Sequence, residues 1–161
     1  MKTSLAFLLW IFAWTLSFGQ TFQVNPDRLH ENLMTLATYG KNEMGGSDRV
    51  AYSKHDIAAR TFVKSLMEKA GLEVSVDFAG NIIGKKQGKN PNLKPIVFGS
   101  HIDEVPNGGD YDGPVGSLGA IEVVQTLAEN NFLTDHPLEV IIFTNEEGGV
   151  VGSRAIVGAL S

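Results

Sequence analysis

Two short apolar runs, each bounded by proline or glycine and each ending in ionisable residues, restrict the possible folds of this chain more than anything else in it. The first, Pro95 to Phe98, leads into GSHID at 99–103; the second, Leu138 to Thr144, leads into NEE at 145–147. Runs this short and this apolar read as buried strands of a parallel sheet. Between them Leu118, Ile121, Val124, Leu127 and Ala128 recur at helical spacing up to Asn131, and they predict a long helix with one face turned inward. Open α/β sheets place their sites at the carboxyl ends of such strands, where His101, Asp103, Glu146 and Glu147 stand.

The earlier chain supplies the other layer. Leu29, Leu33, Leu36 and Ala37 predict a helix over Pro26 to Thr38, with Asn25 as cap, Pro26 in the first turn and Gly40 closing it. Lys41 to Val50 reads as a polar loop. Ser53 opens a second helix whose expected apolar face is Ile57, Ala58, Phe62, Leu66 and Met67, ended by Gly71. Leu72, Val74 and Val76 alternate with polar residues as in a half-buried strand, and Ile82-Ile83 begins the next. Gly84 to Lys94, with four lysines, reads as a solvated turn. Val151 to Ala159 predicts the start of a further helix. Strands and helices alternating around two buried strands mean an α/β layer fold.

Composition narrows the partners. A chain of 161 residues is one domain or part of one, and 43% hydrophobic with 19% charged residues is enough to bury a core. A formal charge of -5 leaves no basic footprint for nucleic acid. Lys2, the apolar stretch Leu5 to Leu16, and Ser17 and Gly19 before Gln20 have the layout of a secretory signal peptide over residues 1–19. That apolar stretch falls short of the ~20 residues that span a bilayer. The expectation is an exported domain from residue 20 with no membrane span after cleavage, periplasmic or secreted. There are no cysteines, so thiolate ligands, cysteine nucleophiles and disulfides are excluded.

One imidazole and several carboxylates leaving two strand ends are a metal site before anything else. A divalent ion at neutral pH takes neutral imidazole nitrogen and carboxylate oxygen, at about 2.0–2.2 Å for zinc. His101, Asp112 and Glu147 offer these from three segments. Asp112 lies eleven residues beyond His101, past a loop that Pro106, Asn107, Gly108 and Gly109 allow to turn back. A carboxylate can bridge two ions, and a bound water then falls from a pKa of 15.7 toward about 7. A second carboxylate must take up a proton and return it to a leaving nitrogen. Adjacent Glu146 and Glu147 suit that division, and Asp103 can orient the His101 imidazole. Asp110 and Asp112 also admit a plain turn or part of a calcium loop, although the ligand ladder of an EF-hand is missing. His30, His55 and His136 read as surface residues.

GSHIDEVPNGGDYDG with GAIEVV, then PLEVIIFTNEEG and GSRA, resembles the zinc amidohydrolases related to N-carbamoyl-L-amino-acid hydrolase, β-ureidopropionase and allantoate amidohydrolase, a branch of the co-catalytic metallopeptidases. RVAYSKHD, AGLEVSVD and GNIIGKK resemble the same branch, so the likeness spans nearly all of the chain after the leader. It implies a three-layer α/β/α catalytic domain with a mixed sheet and two divalent ions, zinc first among Zn, Mn, Co and Ni. It further implies that His101 binds one ion, Asp112 bridges both and Glu147 binds the other, with Glu146 as general base and Asp103 beside the His ligand. The implied reaction is hydrolysis of a linear C–N bond in an N-carbamoyl or ureido amide, by a homodimer of the full-length protein acting on a small molecule.

The chain departs from that pattern in three places. Glu104 stands where a small hydroxyl residue is usual, and EEGGVVGSRA is a shortened loop. No histidine follows His136, so the two further His ligands and the dimerisation domain are expected beyond Ser161, and residues 20–161 read as the first part of a catalytic domain. Two other readings stand beside this one: an exported zinc aminopeptidase or carboxypeptidase of the wider clan, and a secreted metal-binding module without catalysis.

Overall fold

The structure, a computed structural model, describes residues 21–160; the leader expected at residues 1–19 lies outside the described residues. Two helices come first, α1 (Pro26–Ala37) and α2 (Lys54–Lys69), and both start where local chemistry says they should. The Asn25 side chain accepts the Arg28 N–H at 3.0 Å and the Ser53 hydroxyl accepts the Asp56 N–H at 3.2 Å, each satisfying a helix-end donor that has no intrahelical partner. Four strands follow with two helices among them: β1 (Glu73–Val76), β2 (Ile82–Lys86), β3 (Ile96–His101), α3 (Pro114–Glu129), β4 (Leu138–Phe143) and α4 (Val151–Ile156).

The strands form one mixed sheet in the order β1-β2-β4-β3. β3 runs parallel to β4, with His101 opposite Phe143, while β2 is antiparallel to both β1 and β4. Parallel neighbours bring their carboxyl ends to the same edge of the sheet. The segments after His101 and after Phe143 therefore emerge side by side.

The core lies between the sheet and α1, α2 and α3. Leu36 and Ala59, Val63 and Met67 of the first two helices meet Leu118 and Val124 of α3 over Ile82, Val140 and Ile142. Several of these side chains are wholly buried, each contributing about 1.5–3 kcal/mol of transfer free energy when large and aliphatic. The α/β class and the mixed sheet match expectation, and α4 packs on β4.

Four expectations need correction. Among the described residues, the run Pro95 to Phe98 is parallel strand with one neighbour, β4, and Ile96 and Val97 are half exposed rather than buried. Its apolar character cannot by itself distinguish one covered side from two. On α2, Ile57 and Ala58 face out; the buried stripe is Asp56, Ala59, Val63, Leu66 and Met67. Leu66 and Met67 are buried as expected and Phe62 packs against the core, while Asp56, Ala59 and Val63 complete the face in place of Ile57 and Ala58. Gly84, Lys85 and Lys86 belong to β2 rather than to a turn, and Gly84 lets the strand pass under α2, because a Cβ there would stand 2.6 Å from Met67 Cε. Finally, the loop of residues 41–50 is not simply solvated. It pairs Ser47 with Gly108 and buries Ser47 and Arg49 completely.

Candidate metal centre

His101 is the last residue of β3 and is buried. Its ring lies against the entrance of α3, where Gly113 stands at a φ of 80°; a Cβ on Gly113 would fall 2.4 Å from the ring. Glycine at this point is thus required twice, for the left-handed turn and for the close approach. Ser117, one turn into α3, donates its hydroxyl to the His101 carbonyl at 2.8 Å. The strand end and the helix start are fastened together.

The loop between them turns back as its composition predicts. Asn107 takes a φ of 59°, Gly108 pairs with Ser47, and Asp48 accepts the Asn107 N–H at 2.8 Å. Asp112 is thereby returned to His101. Asp110 is not part of the same cluster: its carboxylate is held by Lys41 at 2.7 Å.

Beyond β4 the chain makes a compact turn. Asn145 and Val150 both adopt left-handed backbone, and the Glu146 carbonyl accepts the Gly149 and Val150 N–H groups. Asn81 pins the strand end before that turn: its amide accepts the Thr144 N–H at 3.0 Å and donates to the Gly152 carbonyl at 3.0 Å. Glu147 consequently points toward His101 and Asp112. One ligand atom from each of His101, Asp112 and Glu147 lies within 4.8 Å of the others, and this is the one such group among the described residues. Donors bound at about 2.1 Å to one tetrahedral zinc would stand about 3.4 Å apart, so a small closure, or a bridging carboxylate between two ions, satisfies the set. The donors fit a divalent metal.

Glu146 is beside the triad, its carboxylate 3.6 Å from His101 Nε2. Asp103 holds the two strand ends together, because its two carboxylate oxygens accept the main-chain N–H groups of Glu146 and Glu147, each at 3.2 Å. The hydrogen-bond contact with the imidazole falls on the Asp103 carbonyl, 3.1 Å from Nδ1, while the carboxylate stands 3.9 Å away. An Nδ1–H given to that carbonyl leaves Nε2 as the free donor facing the cluster.

Glu104 is buried and pairs with the equally buried Arg49 at 3.2 Å. Burial pushes its carboxyl up to about 7; Arg49 pulls against this, and the nearby Glu147 carboxylate adds to the rise. A cleft of about 160 Å³ opens next to the triad, lined by Val50, Val105 and Pro106 together with Asp103, Glu104 and Glu147. His30 is exposed, and the half-buried His136 has its Nδ1 2.8 Å from the Lys94 carbonyl. Neither these two nor His55 joins a metal-ligating cluster among the described residues.

Arg49, Gly113 and Ser117 escaped the motif reading. Arg49 lay in the loop taken as polar, and its only signal was membership of the stretch RVAYSKHD. Gly113 and Ser117 carry no chemistry of their own and matter only through what they touch.

A mixed sheet with an imidazole and carboxylates converging at its carboxyl end defines the class: an α/β domain of the metallopeptidase-like kind, with a candidate site for a divalent metal. The profile of Peptidase family M28 matches residues 81–160. The N-carbamoyl-L-amino acid amidohydrolase of Geobacillus stearothermophilus is 45% identical over 142 residues, covering 85% of this chain and 35% of that protein. The ureidoglycolate hydrolase of Arabidopsis thaliana is 38% identical over 150 residues, covering 90% and 32%. In structure, a hydantoinase/carbamoylase family amidase from Burkholderia ambifaria superposes with a TM-score of 0.85 at 36% identity, covering 88% of this chain and 36% of its own. The chain belongs to this amidohydrolase branch of the metallopeptidase-like hydrolases, and it spans about a third of the length of the relatives it matches. Among the described residues no helix is long and apolar enough to cross a membrane.

Proposed function

We propose that the protein serves the metal-dependent hydrolysis of a linear C–N bond in N-carbamoyl or ureido amino acids, the activity residing in a chain that carries the remainder of its relatives' length. The observation that supports this best is the meeting of His101, Asp112 and Glu147 within 4.8 Å, with Glu146 alongside. In this reading His101, Asp112 and Glu147 would hold a pair of divalent ions, zinc first, and that group would polarise the amide carbonyl and lower the pKa of water. Glu146 accepts the proton of the attacking water and hands it to the departing nitrogen. Asp103 fixes the relative height of the two strand ends. The apolar side of the cleft, Val50, Val105 and Pro106, excludes water from the substrate. Export through the N-terminal leader and a homodimeric full-length protein complete the proposal.

A hydrolase of peptide bonds is the second reading, favoured by the match of residues 81–160 to Peptidase family M28. N-carbamoyl amino acids and ureidoglycolate assayed beside dipeptides and aminoacyl anilides separate the two. In the protein that turns over the preferred substrate, Glu146→Gln is expected to keep its metal while kcat falls about 10²–10⁴-fold. A variant with kcat near that of the parent rejects Glu146 as the base.

A further inference from the structure

We infer that Arg49 is a positioning residue of the metal centre, acting on His101 through the two peptide units that flank Asp103. Its side chain is wholly buried, in a loop 52 positions ahead of His101 in the chain. Nε donates to the Ile102 carbonyl at 2.5 Å, Nη1 to the Leu36 and Tyr39 carbonyls at 3.0 Å each, and Nη2 to Glu104 at 3.2 Å. The Arg49 carbonyl in turn accepts the Glu104 N–H at 3.0 Å.

The consequence lies in peptide planarity. The Ile102 carbonyl belongs to the peptide unit before Asp103, and the Glu104 N–H to the unit after it. Each unit is a rigid plane, so fixing the Glu104 N–H on one side aims the Asp103 carbonyl on the other. That carbonyl is the group facing His101 Nδ1 at 3.1 Å. With both planes held, the Asp103 side chain is also set where it receives the Glu146 and Glu147 N–H groups. The Arg49 main chain therefore aims the Asp103 carbonyl, and the guanidinium, bonded to the Leu36, Tyr39 and Ile102 carbonyls and to Glu104, holds that main chain and the Ile102 peptide unit in place. It also holds the Leu36 carbonyl in α1 and the Tyr39 carbonyl just past the end of that helix, so it ties the site to the helical layer. A planar guanidinium with five donors can serve four acceptors at once, and a lysine ammonium cannot.

The inference rests on His101 being a metal ligand, and its test separates the two ideas by reading the imidazole without metal. Long-range ¹H–¹⁵N NMR of the metal-free chain at pH 8 is expected to find His101 as the Nδ1–H tautomer. Arg49→Met combined with Glu104→Leu removes both charges and keeps apolar volume, which buried pairs often tolerate. In that variant His101 should move toward the Nε2–H tautomer that dominates in free imidazole side chains, and zinc affinity measured by chelator competition should fall about 10–100-fold. If the double variant does not melt cooperatively, Arg49→Lys takes its place under the same two criteria. Finding the Nε2–H tautomer in the parent chain, or an unmoved tautomer with zinc affinity within about twofold in a folded variant, overturns the inference. A tautomer that shifts as expected in a chain that binds no zinc would uphold the role of Arg49 and reject the metal reading.

Discussion

Arg28 and Arg49 each meet a buried glutamate, and the two encounters are built differently. Arg28, on α1 and about a quarter exposed, forks onto Glu122 of α3 with two bonds of 2.7 Å and reaches Glu129 as well. Glu122 also receives the Asn25 N–H and the Thr126 hydroxyl. Burial works against its charge, yet the Arg28 and Asn25 bonds outweigh it and hold the carboxyl below its ordinary value. At the metal centre the balance reverses. A single contact of 3.2 Å does not offset the cost of burial, so Glu104 rises to about 7 and Arg49 is pushed down, although it remains a cation. The first pair clamps two helices by charge. The second contributes little as a charge pair; the arginine is there for carbonyls.

Removing each arginine breaks the comparison most sharply. Arg49→Met alone strands Glu104 and removes the guanidinium from the Ile102, Leu36 and Tyr39 carbonyls, and should cost about 3–5 kcal/mol in urea unfolding at pH 7. Arg28→Met, whose partners can reach water, should cost distinctly less, and equal losses would mean that burial does not separate the two sites.

Acid should act on the two pairs in opposite directions. Glu104 has a folded pKa above its ordinary value of 4.5, so its contribution is most favourable below that pH and is lost as pH rises toward 7. Glu104→Gln should therefore gain on the parent between pH 4.5 and 7 and hold a constant advantage above. Glu122 has a depressed folded pKa, so its contribution is present above about 4.5 and disappears as pH falls below it. Glu122→Gln should lose its deficit only in that lower window. Parallel pH profiles for the two variants would contradict the assignment.

Salt gives the smallest expected effect. The arm from Arg28 to Glu129 is solvent-facing, so Glu129→Ala should shift the melting temperature slightly at low ionic strength and not measurably at 1 M salt, where the screening length is about 3 Å. The enclosed Arg49 pair should show no such dependence.

Much of the candidate site was legible because its candidate ligands sit at the ends of short apolar runs, and a strand end is a place that local patterning can locate. His101, Asp103, Glu146 and Glu147 were found in this way, and Asp112 through the glycine-rich loop that returns it. The register of β3 beside β4 and the turn chemistry then bring His101, Asp112 and Glu147 together. Arg49 was not legible, because a lone arginine among Gly, Ser and Asp looks solvated until the chain folds over it. The exposure of Ile96 and Val97 among the described residues was equally hidden, since apolar content reports that a strand packs against something but not on how many sides.

By itself the sequence determined the α/β class, the helix caps at Asn25 and Ser53, and the residue types that meet at the candidate centre, because these depend on periodicity and on neighbours a few positions away. Tertiary structure alone decided that Glu104 would be buried against Arg49, that Gly113 must lack a side chain, and that Asp103 would join the two strand ends. Each of these is a relation between residues distant in the chain, set by which surfaces exclude water together.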